Sequence, residues 1–183
     1  MALFPNLDLG DVRQTAASDE WFTPRRILDW LPSITLDPCW SPHSHVRPTM
    51  AIDCRDGRDG LLERWDLFMA HDGCVFVNPP YSDCAAWVEK CAREARVAVL
   101  PIVALVPAYA GDQYWHRAVW GRASWVAFLR GRVRFDTRHG RAASAASFTS
   151  ALICWRDDGR VLQRLRNKAG DDVFVVRADK QAG

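Results

Sequence analysis

The sequence predicts an open α/β sheet, mostly parallel, flanked by helices and closed by an antiparallel C-terminal end. Two observations predict the order. Short apolar runs of strand length stop at Asp, Asn or Pro, and the early ones alternate with helical patterns, as parallel sheets require. After the second helical pattern nearly all remaining candidates are strands, which favours antiparallel pairing. Length and composition fit this class: 183 residues, 49% hydrophobic and 25% charged, can bury a core without staples. Wholesale disorder, a collagen repeat and a disulfide miniprotein are excluded. We expect a flexible polar lead-in over 1–20, a single domain over 21–177 and a tail over 178–183.

The elements follow in order. Pro24 suits the first turn of a helix, with Thr23 as N-cap, an apolar face of Ile27, Leu28 and Leu31, and Pro32 as terminator. Residues 34–36 form a short buried strand stopped by Asp37-Pro38. Residues 39–49 have loop composition. Residues 50–52 form a second strand ending at Asp53, and 53–60 is rich in turns. Residues 74–77 form a strong short strand. Ser82 or Asp83 can cap a helix over 84–96, whose Trp87, Val88 and Cys91 make an inward stripe. Residues 102–106 form a near-continuous apolar strand ended by Pro107. Asp112 can cap a helix over 113–120. Strands follow at 125–129, 133–135, 147–155 and 173–176, with a turn at Asp158-Gly159.

Several function classes drop out early. The longest nearly apolar run, 97–110, carries two prolines and falls short of the ~20 residues of a membrane span. The first residues lack a basic start and a continuous apolar stretch, so we expect no signal peptide. The six cysteines form no CxxC and no Cys/His spacing of a zinc site, so they read as small buried apolar residues in a reducing compartment. His43 and His45 form a His-x-His with no partner cluster, the reading being a loop. His116 lies among aromatics and reads as a buried or capping residue. Nine tryptophans supply mostly core, with some left as stacking surfaces.

Charge is uneven. Residues 1–100 hold 10 Lys and Arg against 15 Asp and Glu; residues 101–183 hold 14 against 7. The densest stretch, 117–141, carries seven arginines against Asp136 alone. Such a distribution fits either a polyanion partner or a solvated basic face.

One motif carries chemistry. Asn78-Pro79-Pro80-Tyr81 follows a buried strand and precedes a helix, where open α/β sheets bind ligands. Two prolines remove two backbone donors and stiffen the turn. Nearby carbonyls are then free to face a ligand, the Asn amide adds another acceptor, and Tyr81 offers a ring face. The result is a rigid cup of acceptors beside an aromatic plate, suited to a planar group bearing an NH2. A bare Pro-Pro would be a simple strand terminator; Asn before it and Tyr after it favour function.

Here the chain resembles a family. Asn-Pro-Pro-Tyr marks the class I amino-methyltransferases, and the wider pattern resembles the phage-type, Dam-like DNA adenine methyltransferases. The matching pieces are Trp21-Phe22-Thr23-Pro24, Leu36-Asp37-Pro38-Cys39, Asp59-Gly60-Leu61-Leu62 with Trp65, Val77 to Ser82 with Trp87, Leu105-Val106-Pro107-Ala108, Trp115-His116 and Phe128 to Phe135. They cover roughly 21–155, and their order and spacing are more specific than any single piece.

The resemblance implies a Rossmann-like class I methyltransferase fold, S-adenosyl-L-methionine as cofactor, and methyl transfer to the exocyclic amine of adenine in DNA, most simply double-stranded. It also implies an enzyme of phage or prophage origin acting in the host cytoplasm. Asn78 and the Pro79 carbonyl would accept hydrogen bonds from the target amine, Pro80 would shape the turn, and Tyr81 would stack on an extruded base. Asp37, with Pro38, would face the cofactor's ammonium, although the familiar glycine-rich loop is replaced by Asp37-Pro38-Cys39-Trp40. Trp21, Thr23 and Pro24 match the family's amino-terminal cofactor motif, Asp53 would hold the ribose and Asp59 the cofactor's adenine. Arg130, Arg132 and Arg134 alternate as on one strand face, and with Arg138 and Arg141 would track DNA phosphates. The tetrapeptide also serves cytosine amines, RNA bases and protein amides, and a non-catalytic nucleic-acid-binding module on the same scaffold is a further alternative. Between residues 60 and 97 there is no room for a large recognition insert, so recognition falls to loops near 39–49 and 130–146.

Overall fold

The computed structural model describes residues 21–66, 72–136 and 145–178. Among these residues seven strands form one sheet: β1 (Ile34–Asp37), β2 (Met50–Ala51), β3 (Cys74–Val77), β4 (Ile102–Pro107), β5 (Trp125–Leu129), β6 (Ser150–Trp155) and β7 (Val173–Arg177). Their spatial order is β2-β1-β3-β4-β6-β5-β7. The pairings β2–β1, β1–β3 and β3–β4 are parallel. Those of β4–β6, β6–β5 and β5–β7 are antiparallel. The predicted antiparallel end is therefore present. β3, β4 and β6 are buried along their whole lengths, as central strands covered on both faces must be.

Among the described residues four helices cover the sheet: α1 (Arg25–Leu28), α2 (Cys84–Glu94), α3 (Gln113–Ala118) and α4 (Arg160–Ala169). One face packs Val75, Val77, Ile102, Ala104 and Ile153 against α2 and α3, including Trp87, Val88, Cys91 and Trp115. The other packs Cys74, Phe76, Val103, Leu105 and Leu152 against α1 and α4 through Ile27, Val161 and Leu165. The period-2 alternation of β3 and β4 between these two cores is what makes the molecule three-layered.

Several expectations need correction. The first helix is one turn long, its N-cap is Pro24 rather than Thr23, and no side chain caps it. Asp83 and Asp112 do occupy the N-caps of α2 and α3, without a side-chain bond to the helix. Those helices stop at Glu94 and Ala118, two residues short of expectation, and β6 begins at Ser150 rather than 147. Residues 133–135 form no strand. Val133 and Phe135 are buried while Arg132 and Arg134 are exposed, so alternation reflects one-sided burial without a sheet partner. The segment is held instead by Ala146 N–H to the Val133 carbonyl at 2.9 Å and by a backbone bridge between Phe22 and Asp136. His116 is exposed rather than buried.

The helix α4 carries no counterpart in the sequence reading. Its Val161, Leu165 and Ala169 are buried at spacing i, i+4, i+8, a stripe too narrow to stand out among its four cations. The Asp157 carboxylate accepts from the N–H groups of Val161 (3.2 Å) and Leu162 (3.0 Å), and Arg164 donates to the carbonyls of Leu31 and Asp29 behind α1.

Cys39, Cys74, Cys84, Cys91 and Cys154 are free thiols, the last four buried, as expected. Among the described residues no cluster of His, Cys, Asp or Glu could hold a metal ion, and no helix is long and apolar enough to cross a membrane.

Candidate active site

Chain order runs from β1 outward to β2 and then to β3 on the other side of β1. This reversal makes a switch point beyond the carboxyl ends of β1 and β3, where open α/β sheets bind ligands. The two strands deliver Asp37 and Asn78 to its two sides, and one residue bridges them. Cys39 N–H donates to Asp37 Oδ1 at 3.1 Å, and the Cys39 thiol donates to the Asn78 carbonyl at 3.4 Å. Sequence reasoning quoted Cys39 but gave it no role.

Asp37 is only 4% exposed. Burial pushes its carboxyl up to about 7, against the opposing pull of the Cys39 N–H. Among the described residues no cationic side chain pairs with it. A buried carboxylate of this kind is a destabilising feature unless a ligand cation completes it.

The Asn78 amide is held at both ends. Its Nδ2 donates to the Trp21 carbonyl, and its Oδ1 accepts from the Tyr81 hydroxyl at 3.3 Å. Because a carbonyl has two lone pairs, Oδ1 keeps one acceptor position open. Burial pushes the Tyr81 hydroxyl well above its ordinary range, so it stays a donor. Pro80 N-caps the 3-10 turn Tyr81–Asp83 that leads into α2.

Four rings converge here. Trp21 and Tyr81 lie near parallel, 6.5 Å between centroids, and Phe135 and Phe148 meet both edge-on. Phe135 is part of a matched segment but was given no role, and Phe148 was not singled out; their only sequence signal is being aromatics beside the arginine-rich stretch. Thr23 lies next to this cluster, 1% exposed, and its Oγ1 has no hydrogen-bond partner. An orphaned buried hydroxyl is uncommon and costs stability.

The remaining predicted cofactor residues lie along the same strand ends. Asp53 follows β2, and its carboxylate is bound by the Arg55 guanidinium through Nε at 3.0 and 3.1 Å. That bond holds Asp53 below the usual carboxylate range. Asp59 caps its own turn, accepting from the Leu61 N–H at 2.8 Å. The next residue, Gly60, sits so close to β1 that a Cβ there would lie 2.0 Å from the Pro38 carbonyl oxygen. Glycine is thus required where the 59–61 turn meets Asp37-Pro38. The turn is tied to α2 through the buried pair Lys90–Glu94: Glu94 accepts from the Trp65 N–H, and Lys90 donates to the Glu63 carbonyl.

Arg130, Arg132 and Arg134 are all exposed beyond the end of β5, while Arg138 and Arg141 lie outside the described residues. His45 does not join His43 in a metal site; its Nε2 pairs with Asp136 Oδ2 at 2.8 Å. This ties the 39–49 loop to the segment that follows the arginines.

The family model described as DNA N-6-adenine-methyltransferase (Dam) matches residues 12–169. The chain belongs to the Dam family of DNA N6-adenine methyltransferases. This Dam-family protein is an enzyme that methylates adenine in DNA, and its mixed sheet is consistent with the Rossmann-like methyltransferase fold. No match was found among curated proteins.

Proposed function

We propose that this Dam-family methyltransferase binds S-adenosylmethionine along the tips of β1 and β2 and clamps an adenine, extruded from double-stranded DNA, at Asn78–Tyr81. The observation that carries the reading is the direct linkage of Asp37 to the Asn78 turn through Cys39. One unpaired buried carboxylate and one rigid acceptor turn are thus joined at neighbouring strand tips.

The residues present fit the cofactor. Asp37 lacks a cation, which the ammonium of the methionine part would supply. The orphaned Thr23 hydroxyl could gain a partner from the same ligand, beside Trp21 and Pro24. The close seating of Gly60 on Pro38 puts the Asp59 turn within the same row as Asp37, and Asp53 stands at the neighbouring strand end. Bound there, S-adenosylmethionine supplies an activated methyl group.

The chain's own residues do the positioning. Asn78 Oδ1 and the Pro79 carbonyl accept the two amine hydrogens, which leaves the nitrogen lone pair aimed away from them and towards the cofactor side. The Trp21 carbonyl fixes which way the Asn78 amide faces, and the Tyr81 hydroxyl holds Oδ1 in place. Pro80 stiffens the turn, and the Tyr81 ring stacks on the base. A base within a duplex cannot reach this cup, so extrusion is part of the reading. No strong base is required, since the amine's proton can leave after attack; the gain comes from orientation in a water-poor site. The exposed arginines from Arg130 to Arg134, with Arg138 and Arg141, give the DNA backbone its counter-charge. A DNA substrate and free thiols suit action in the cytoplasm of a bacterial host, encoded by a phage or prophage.

The test is incubation with labelled S-adenosylmethionine and unmethylated duplex DNA, followed by nucleoside analysis. Label is expected in N6-methyldeoxyadenosine alone. Asn78→Ala is expected to lose about 100-fold or more in turnover while keeping its unfolding midpoint. Near-wild-type turnover by that variant would overturn the assigned clamp.

A further inference from the structure

Tyr109 is the feature that the clamp leaves unexplained. It follows the end of β4, at the same end of the sheet as Asn78, and is 52% exposed. Among the described residues Tyr109 and Phe174 are the exposed aromatics, and Phe174 belongs to β7 at the far edge of the sheet. The Tyr109 ring meets Phe148 at 6.2 Å, and Phe148 meets Tyr81 at 5.3 Å. An aromatic path therefore leads from the surface to the base-stacking ring.

The backbone beneath Tyr109 is fixed. Ala108 N–H donates to the Thr149 carbonyl at 2.9 Å, and the Tyr109 carbonyl accepts from Asp112 N–H at 2.9 Å. Trp120 Nε1 donates to the Ala110 carbonyl at 3.3 Å. A tethered turn that presents an exposed ring loses little entropy when that ring is covered, which suits recognition. Tyrosine offers a flat apolar face with few rotatable bonds, and every nucleobase has a π-face to stack on it.

We propose that Tyr109 is a substrate-positioning residue that stacks on the DNA base adjacent to the extruded adenine. Extrusion leaves that neighbour with one face unstacked; the Tyr109 ring covers the face and lowers the cost of holding the target out. The inference rests on the reading of Asn78–Tyr81 as the adenine clamp.

The experiment compares wild type, Tyr109→Ala and Tyr109→Phe on two duplexes, one with a paired target adenine and one lacking the base opposite it. On the paired duplex Tyr109→Ala is expected to lose about tenfold or more in kcat/KM, and Tyr109→Phe less than about threefold, since stacking needs the ring rather than the hydroxyl. The alanine defect is expected to shrink on the second duplex, where extrusion is already cheap, and binding of S-adenosylmethionine alone is expected to stay unchanged. The inference is overturned if Tyr109→Ala matches wild type on the paired duplex, if its defect is equal on both duplexes, or if Tyr109→Phe fails as badly. These outcomes are separable from failure of the clamp itself, which would appear as an active Asn78→Ala variant.

Discussion

Asp37 costs the ligand-free protein stability, a cost that the proposed cofactor cation would offset. Its folded carboxyl, pushed up to about 7 by burial, lies above its ordinary value of 3.8. Between those values the folded state holds a proton that the unfolded chain releases. The protonated carboxyl's contribution to stability is therefore full at low pH and is lost as pH rises through about 7. Asp37→Asn removes the buried charge, so the ligand-free enzyme is expected to gain about 1–3 kcal/mol at pH 8 and progressively less towards pH 5. The same variant is expected to bind S-adenosylmethionine poorly at every pH, while wild-type affinity falls as pH drops below 7. Thermal melts and calorimetric titrations across that range check both, and a gain independent of pH would remove Asp37 from this role. Cys39 and Gly60 serve the same strand tips differently, one as a donor to both and the other by having no side chain at all.

At the scale of elements, the site depends on where strands stop. β1 and β3 end at Asp-Pro and Asn-Pro-Pro, and the missing prolyl donors stop the ladders immediately beyond Asp37 and Asn78. The opposite end of the sheet is organised by Asp157, whose carboxylate caps α4 and also accepts from Trp125 Nε1 at 2.7 Å. Asp157→Ala leaves several donors unpaired, and a stability loss of about 1–3 kcal/mol is expected, measured by denaturant unfolding. Because α4 begins beside the end of β6, away from the tips of β1 and β3, turnover of the folded fraction is expected to hold. A normal midpoint would show that water replaces the carboxylate at no cost. The buried Lys90–Glu94 pair acts at this scale as well, pinning the 63–65 segment on α2.

At the scale of the whole molecule, charge and topology agree. The cationic half of the sequence forms β4 to β7, and Arg130, Arg132 and Arg134 are exposed in the segment that leads from β5 to Phe135 of the aromatic cluster. Arg132→Ala is expected to weaken binding to all DNA sequences alike and to reduce the slope of log affinity against log salt by about 1. Fluorescence titrations at several salt concentrations measure it, and an unchanged slope would take Arg132 off the phosphate track. The His45–Asp136 pair and the Phe22–Asp136 bridge draw the 39–49 loop, the amino-terminal segment and the arginine segment together. A short chain thus gathers the segments proposed to face DNA from three places in sequence.

The amino-acid sequence by itself determined the strand tips, the Asn-Pro-Pro-Tyr turn proposed as the clamp, and the charge asymmetry. A run such as Cys74–Val77 followed by Asn-Pro-Pro-Tyr is a local signal: apolar residues demand burial and prolines end the ladder within a few residues. It could not separate one-sided burial from hydrogen-bonded pairing at 133–135, because both produce alternation. Nor could it raise α4 above its cationic background, since a few apolar residues make a helix only when another surface receives them. Tertiary structure alone decided the partners of Asn78, the isolation of the Asp37 carboxylate, the close approach of Gly60 to Pro38 and the four-ring cluster. The bond from Asn78 to Trp21, the seating of Gly60 on Pro38 and the ring cluster join segments far apart in the chain, and which segments meet is settled by packing on both faces of one sheet.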